Sequence, residues 1–426
     1  MPEKVLGMMN PELLKILKFK PMFLSAIFSR RSHSWKTRLA LFLTALLTIV
    51  FLSHPLGTVA QQRFPEVRGV WMTNNDTRVL ADQNALEAAM TQLGQLNFNT
   101  VYPVVWNSGF VHYPSATAQR AGIQTFIRRG NQGQDILADL VEKAHRNGLL
   151  VLPWFEFGFM TPPFSELAKA HPEWLTQKQD GTRSWVGTAG EVYWLNPFHP
   201  EVQQFITQIV LEVLDQYNVD GVQFDDHASL PNQFGYDSFT TAMYRRETGR
   251  AAPSNATDPA WVRWRADKLT AFMVELNRQV KAKQPNAIFS VSPNPYDFAY
   301  RGQLQDWLAW LRRGVIDELL VQVYRPDLAA FRENLVRPEI QEARQRIPTG
   351  VGILTGLRNR PVGLQQIQAK IQSARQQGLG FSFFFYDSLW NYAPEPADQR
   401  KSLFQVLFRF PAKRTSVTNA PLIAES

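Results

Sequence analysis

The sequence predicts an α/β protein of the TIM-barrel class, a closed (β/α)8 barrel with extended loops after strands 3 and 4. Three observations predict it. Eight short apolar or aromatic runs recur at 67–73, 100–106, 149–157, 219–226, 288–293, 319–324, 350–355 and 380–387. Between them lie longer stretches with helical periodicity, at 84–96, 135–147, 200–217, 261–284, 304–313, 329–346 and 363–377, with 396–407 after the last run. Strict alternation of strand and helix implies parallel strands with right-handed crossovers, and eight such units match a closed barrel. An open doubly wound sheet would carry a Gly-rich phosphate turn after its first strand, where this chain reads Trp71-Met72-Thr73-Asn74-Asn75. No nucleotide cofactor is expected.

Taken in order, residues 1–60 hold eight Lys/Arg and two acids, Glu3 and Glu12, and an apolar run at 39–52 that ends in the small residues of 57–60. This is the pattern of an export signal. Fourteen residues at roughly 1.5 Å each reach about 21 Å, short of a hydrocarbon core of ~30 Å. A cleaved signal is therefore expected, with an uncleaved membrane anchor as the alternative, and the chain is expected in the periplasm or outside the cell. The leader also accounts for most of the net charge of +8: beyond it, 37 basic residues face 35 acidic ones. A nucleic-acid partner is not expected. The absence of cysteine excludes disulfides, thiolate metal sites and Cys nucleophiles.

The barrel is expected over 64–410. Pro200 fits a first helical turn, and Asn147-Gly148 and Gln377-Gly378 fit helix ends. The connection 158–199 is far longer than the two to six residues usual at such a place. It holds seven aromatics in forty-two residues, including Trp174, Trp185, Tyr193 and Trp194, and reads either as a subsite wall or as a structural excursion. A second insertion, 228–258, follows strand 4. Residues 411–426 carry no periodic pattern and are expected to form a disordered tail.

In such a barrel reactive groups collect at the C-terminal strand ends. Those ends supply Trp71 and Asn74, Trp106 and Asn107, Trp154 and Glu156, Asp225-Asp226-His227, Ser292 and Asn294, Gln322 and Tyr324, then Tyr386 and Asp387. Indoles, amides and carboxylates around one mouth suit a neutral polyhydroxylated ligand, because rings pack on sugar C–H faces while amides and acids bond hydroxyls. Strand 4 is the most informative: period-two alternation turns Val222 and Phe224 toward the helices and Gln223, Asp225 and His227 toward the barrel axis. A carboxylate there is costly unless paired or put to use. Glycosidic cleavage needs a proton donor and an anion, which Asp225, Asp226 and Glu156 can supply. Trp71, Asn74, Trp106, Trp154, His227, Asn294, Gln322, Tyr324 and Asp387 are the expected substrate contacts. Metal-site spacings such as His-Glu-x-x-His and a Gly-x-Ser-x-Gly elbow around Ser292 are both absent, so neither a metal nor a serine nucleophile is expected.

Together these residues resemble the glycosyl hydrolase-like family 10 of exported bacterial proteins. The resemblance is carried by Val67-Arg68-Gly69-Val70-Trp71, Leu96-Asn97-Phe98-Asn99-Thr100-Val101, His145-Arg146-Asn147-Gly148, Trp154-Phe155-Glu156, the strand-4 segment from Asp220 to His227, Ser290-Val291-Ser292-Pro293 and Gln322-Val323-Tyr324. It implies a (β/α)8 glycosidase acting on peptidoglycan glycan strands or another N-acetylhexosamine polymer. Strand 4 also resembles, more weakly, the Asp-Gly-x-Asp-x-Asp-x-Glu of chitinase-type barrels, as Gln322-x-Tyr324 resembles their sixth-strand pair. Here His227 stands where that resemblance puts the proton donor, and Gln223 replaces another acid. The leading expectation is an exported glycoside hydrolase using Asp225 with Asp226 or Glu156; the alternatives are a barrel that binds glycan without cutting it and a metal-dependent polysaccharide deacetylase.

Overall fold

The computed structural model describes residues 64–73, 78–123, 135–187, 190–357 and 359–414. Eight parallel strands surround one axis: β1 Arg68–Met72, β2 Thr100–Pro103, β3 in two pieces at Leu150–Val151 and Trp154–Phe155, β4 Gly221–Asp225, β5 Ile288–Ser292, β6 Glu318–Gln322, β7 Thr349–Leu354 and β8 Gly380–Phe384. The sheet closes through β3. Its first piece pairs with β2 and its second with β4, so the two ends of the hydrogen-bonded series are consecutive pieces of one strand, interrupted at Leu152-Pro153. Pro153 has no N–H to give to a ladder, yet its carbonyl still accepts from Gln223. The expected eight strands are all present.

Helices cover the outside because each crossover carries one apolar stripe and a local start signal. Asp82, Asp135, Asp258, Asp306 and Asp327 each accept a backbone N–H at the first turn of the helix that follows them. The helix expected over 329–346 is split by Pro338 into Leu328–Leu335 and Pro338–Arg346. The long insertion after β3 folds on itself, with Met160–Thr161 and Trp185–Gly187 pairing antiparallel on either side of Gly190–Trp194.

The barrel interior is polar along its axis. A Cβ on Gly69 would sit 2.5 Å from the Tyr102 ring, so the bare backbone of β1 lets that ring lie across the axis. The Tyr102 hydroxyl donates to Glu318 Oε1 at 2.8 Å, Ser290 donates to the same oxygen at 2.7 Å, and Gln223 links Ser290 to the indole of Trp71. Glu318 is fully buried, and its partner comes from an unexpected place. Arg414 enters the N-terminal end of the barrel, pairs with Glu318 and donates to Thr100 Oγ1. Its side chain is 6% exposed. The expectation of disorder from residue 411 is thus corrected as far as Arg414: Arg68 and Asn99 bond the carbonyls of Phe410 and Ala412, leading the chain under the barrel. Residues 1–63 and 415–426, which include the expected leader and the rest of the tail, lie outside the described residues.

A buried ion pair that loses one partner leaves an uncompensated charge. Arg414→Met is expected to lower unfolding stability in denaturant titration by about 3–5 kcal/mol, with Glu318→Gln in the same chain restoring most of it. An unchanged midpoint for Arg414→Met would contradict the plug.

Candidate active site

The alternation of β4 sets the site. Phe224 turns outward and stacks on Phe155 of β3 at 5.3 Å, while Gln223 and Asp225 face the axis. Asp225 is 2% exposed. Its Oδ2 accepts from the Trp154 indole at 3.2 Å and its Oδ1 from the His227 backbone N–H at 2.9 Å. The turn after β4 is held by Gln305, whose amide donates to the carbonyls of Asp225 and Ala228. Gly158, at φ +47°, lies against it so closely that a Cβ would stand 2.3 Å from the His227 carbonyl.

That turn folds the His227 ring back over the acids. Nδ1 lies 2.8 Å from the Glu156 carbonyl oxygen, which can only accept, so Nδ1 carries a proton, shared with the Asp225 carboxylate at 3.1 Å. Asp226 stands farther from the same nitrogen, 3.9 Å from Nδ1. Its two oxygens accept from Gln322 at 2.7 Å and Asn294 at 2.8 Å. Glu156, at the end of β3, accepts from the Asn107 amide. Three acids therefore gather around one imidazole.

Their protonation follows from burial and mutual repulsion. Burial first, then the charges of Asp225 and Asp226, push the Glu156 carboxyl up to about 8, against the Asn107 hydrogen bond and the His227 charge. Burial also raises Asp225 to about 6, although His227 works against it. For His227 burial favours the neutral ring, but Asp225 and Asp226 outweigh it and raise the imidazole to about 10. Desolvation holds the Tyr324 hydroxyl well above its ordinary value, and all three acids add to this.

The structure brings together Glu156, Asp225, Asp226, His227, Asn294, Gln322 and Tyr324, as the strand ends suggested. It corrects the role of the indoles, which were expected as sugar-facing rings. Trp71, Trp106 and Trp154 are 1%, 0% and 3% exposed, and each N–H is spent inside the protein, on Gln223, the Gly158 carbonyl and Asp225. Trp71 and Trp154 pack with Phe384 into a floor under the acids, their centroids 6.3–6.4 Å apart, and Tyr324 joins through Phe384 at 5.6 Å. Gly352 makes room for it: a Cβ there would stand 3.0 Å from the Tyr324 ring and 3.4 Å from the Trp71 ring. Trp106 is not at the end of β2 at all, but in the hairpin Trp106–Asn107 with Phe110–Val111, against Phe205. Asp387 is likewise displaced: β8 stops at Phe384, and Asp387 lies in the first turn of the helix Tyr386–Trp390, where it accepts from Asn391. Asn74 lies outside the described residues.

Asn107 and Gln305 were not expected as functional side chains. Asn107 stood among the strand-end residues, but nothing in its spacing marked it as a partner of Glu156. Gln305 is eighty positions from Asp225 in the chain and gave no signal. Within the long insertion, Trp174 and Trp194 are buried, and Trp194 donates to the Ser229 carbonyl under the turn after β4. That part is a structural excursion. Trp185 and Tyr193 are half-buried and keep a face outward.

Asp225, Asp226 and His227 each offer a ligand atom within 4.8 Å of the others, the arrangement nearest to a cation site among the described residues. A cation there would compete with the Gln322 and Asn294 amides on Asp226 and with His227 and Trp154 on Asp225.

With this geometry in view, the model of the family described as Glycosyl hydrolase-like 10 matches residues 66–373, most of the barrel. The chain belongs to the glycosyl hydrolase-like 10 family. Among curated relatives of this glycosyl hydrolase-like 10 chain, Glycosyl hydrolase DigH of Escherichia coli strain K12 is 29% identical over 293 residues, 64% of either chain. Glycosyl hydrolase YngK of Bacillus subtilis strain 168 is 24% identical over 313 residues, 66% of this chain and 59% of that one. The chain thus spans somewhat less than two thirds of these relatives. The glycoside hydrolase domain of PgaB (BpsB) from Bordetella bronchiseptica superposes with a TM-score of 0.62 at 16% identity, covering 80% of this chain and 98% of that domain. The fold is that of glycosidase barrels.

The Glu156 carboxyl offers a test without substrate. Its proton is held more tightly in the folded than in the unfolded chain, so stability falls as pH rises from its ordinary 4.5 toward about 8. Glu156→Gln removes that loss. The variant is expected to exceed the parent by roughly 3–5 kcal/mol in denaturant unfolding at pH 9 and to match it near pH 4; parallel stability curves would contradict the assignment.

Proposed function

We propose that this chain is an exported glycoside hydrolase that cleaves a polysaccharide, namely peptidoglycan glycan strands or another N-acetylhexosamine polymer. One observation carries the reading: Glu156, Asp225 and Asp226 converge on the His227 ring at the mouth of a glycosidase-type barrel, where desolvation and the neighbouring acids push the Glu156 carboxyl up to about 8. In this reading Glu156 gives its proton to the departing glycosidic oxygen. Asp225 stabilises the positive charge that develops at the anomeric carbon, and Glu156, now an anion, takes a proton from the water that completes hydrolysis. Asp226, pinned by Asn294 and Gln322, and the outer face of His227 hold the sugar. The Trp154 indole fixes the carboxylate it bonds. The names of the relatives support glycoside hydrolysis, the amide-rich mouth suits a hydroxyl- and amide-bearing chain, and the basic leader with its apolar run supports export, by a cleaved signal or an uncleaved anchor.

A barrel that binds without cutting is favoured by one observation, the 2% exposure of Asp225, whose oxygens are already engaged. The cluster Asp225, Asp226 and His227 likewise favours a metal-dependent deacetylase. Release of reducing ends from peptide-free glycan separates the first, and chelator-sensitive release of acetate the second.

For the hydrolase, Asp225→Asn is expected to lower release of reducing ends by at least ~100-fold with the fold intact. Glu156→Gln should do the same on the natural chain yet retain activity on an aryl glycoside whose acidic phenol departs without a proton. Activity on the natural chain should fall as pH passes about 8, where Glu156 loses its proton. Equal loss on both substrates would remove Glu156 from the role of donor.

A further inference from the structure

A cleft of about 820 Å³ lies apart from the acids, between the loop after β4 and the segment after β5, lined among others by Asn232, Val262, Arg263, Phe298, Tyr300 and Arg301. It opens at the same end of the barrel as the site. The Asn232 N–H donates to the Gly302 carbonyl, its side-chain amide to Arg301, and the Leu230 N–H to Gln303, so the two walls are stitched together. The helix Tyr296–Gln303 starts two residues after Asn294, which holds Asp226. Tyr300 stacks on Tyr296 at 5.8 Å and 10°, Tyr296 packs edge-on against Trp307, and the Trp307 indole donates to the Asn294 carbonyl. Cleft floor and site are one packed unit.

The lining has a defined chemistry. Phe298 is 54% exposed, an apolar ring left open to solvent. Arg263 and Arg301 are exposed, and neither has an ion-pair partner among the described residues. The acid on the rim, Asp297, is neutralised by Arg337 at 2.8 Å. Asp306 caps its helix and accepts from the Tyr296 hydroxyl, and Asp267 faces Tyr300 from the neighbouring helix. Open aromatic surface with two uncommitted guanidinium groups suits a sugar ring that carries a carboxylate: the rings take the C–H face and the arginines take the anion in paired hydrogen bonds.

We infer that this cleft is a remote subsite for a carboxylate-bearing stretch of the glycan chain whose scissile bond lies at Asp225 and Glu156. The inference rests on the glycosidase reading for the identity of the chain, but binding in the cleft does not require cleavage. An extended anionic glycan would be gripped several sugars away from the bond that breaks, which favours long, charged chains over short or neutral ones.

Calorimetric titration of the full chain carrying Asp225→Asn tests this. The probes are peptide-free peptidoglycan oligosaccharides of about eight sugars with free lactyl carboxylates, the same oligosaccharides with those carboxylates amidated, and a tetrasaccharide. Adding Arg263→Gln and Arg301→Gln is expected to weaken the long carboxylated probe by about 10-fold, a difference of about 1.4 kcal/mol, and to flatten its salt dependence. The amidated probe and the tetrasaccharide should change less than about twofold on this scale. Arg263→Lys with Arg301→Lys should keep the salt dependence, and Phe298→Ala should weaken both long probes. Equal affinity of the parent for carboxylated and amidated chains, or no loss in the glutamine variant, overturns the proposal. Failure of the glycosidase reading is visible separately, as charge-dependent binding without any release of reducing ends by the chain with Asp225 intact.

Discussion

Three carboxyl groups crowded around one imidazole, Asp225 buried and Glu156 and Asp226 half-buried, is the constraint from which the proposed chemistry of this barrel follows. A single cation cannot neutralise Asp225, Asp226 and Glu156, and a buried, uncompensated carboxylate is costly enough that the group keeps its proton instead. The imbalance is settled by position. Asp225 lies against the His227 ring and shares its proton, Asp226 is satisfied by two amides, and Glu156 has one amide and is left with its proton.

The rest of the molecule keeps that cluster in place. The indole floor of Trp71 and Trp154 excludes water beneath the acids, and the N–H of Trp154 aims one of them. The axis below continues as a connected polar column through Gln223, Ser290 and Glu318 to Arg414, so every inward-facing polar group of β4, β5 and β6 named here has a partner. Such networks are stabilising only when complete. The C-terminal segment belongs functionally to the barrel for that reason.

Much of this was legible in the sequence. The eight strands announced themselves by spacing, and the alternation within β4 placed Gln223 and Asp225 inward and Phe224 outward, as their hydrogen bonds and stacking bear out. Asn294 and Gln322 were legible because strand ends converge on one mouth whatever the loop sequence. The misreadings share a cause. Trp106 and Asp387 were placed by extending strands past their true ends at Pro103 and Phe384, and the exposure of a strand-end indole depends on how neighbouring rings fill the barrel, which no local pattern encodes. Arg414, Asn107 and Gln305 reach their partners through tertiary contacts that leave no periodic trace. A lone arginine after the last helix looks like any solvated charge until the buried Glu318 opposite it is known.

The glycosyl hydrolase-like 10 membership fixes the scaffold, while the proposed division of labour among the three acids rests on the geometry of this mouth. It is read most directly by carbon-13 NMR titration of the side-chain carboxyls in the full chain, with Glu156→Gln to assign the resonance. The account predicts a Glu156 midpoint near 8, far above its ordinary 4.5. A midpoint close to that ordinary value would mean that Glu156 is an anion at neutral pH and has no proton to donate.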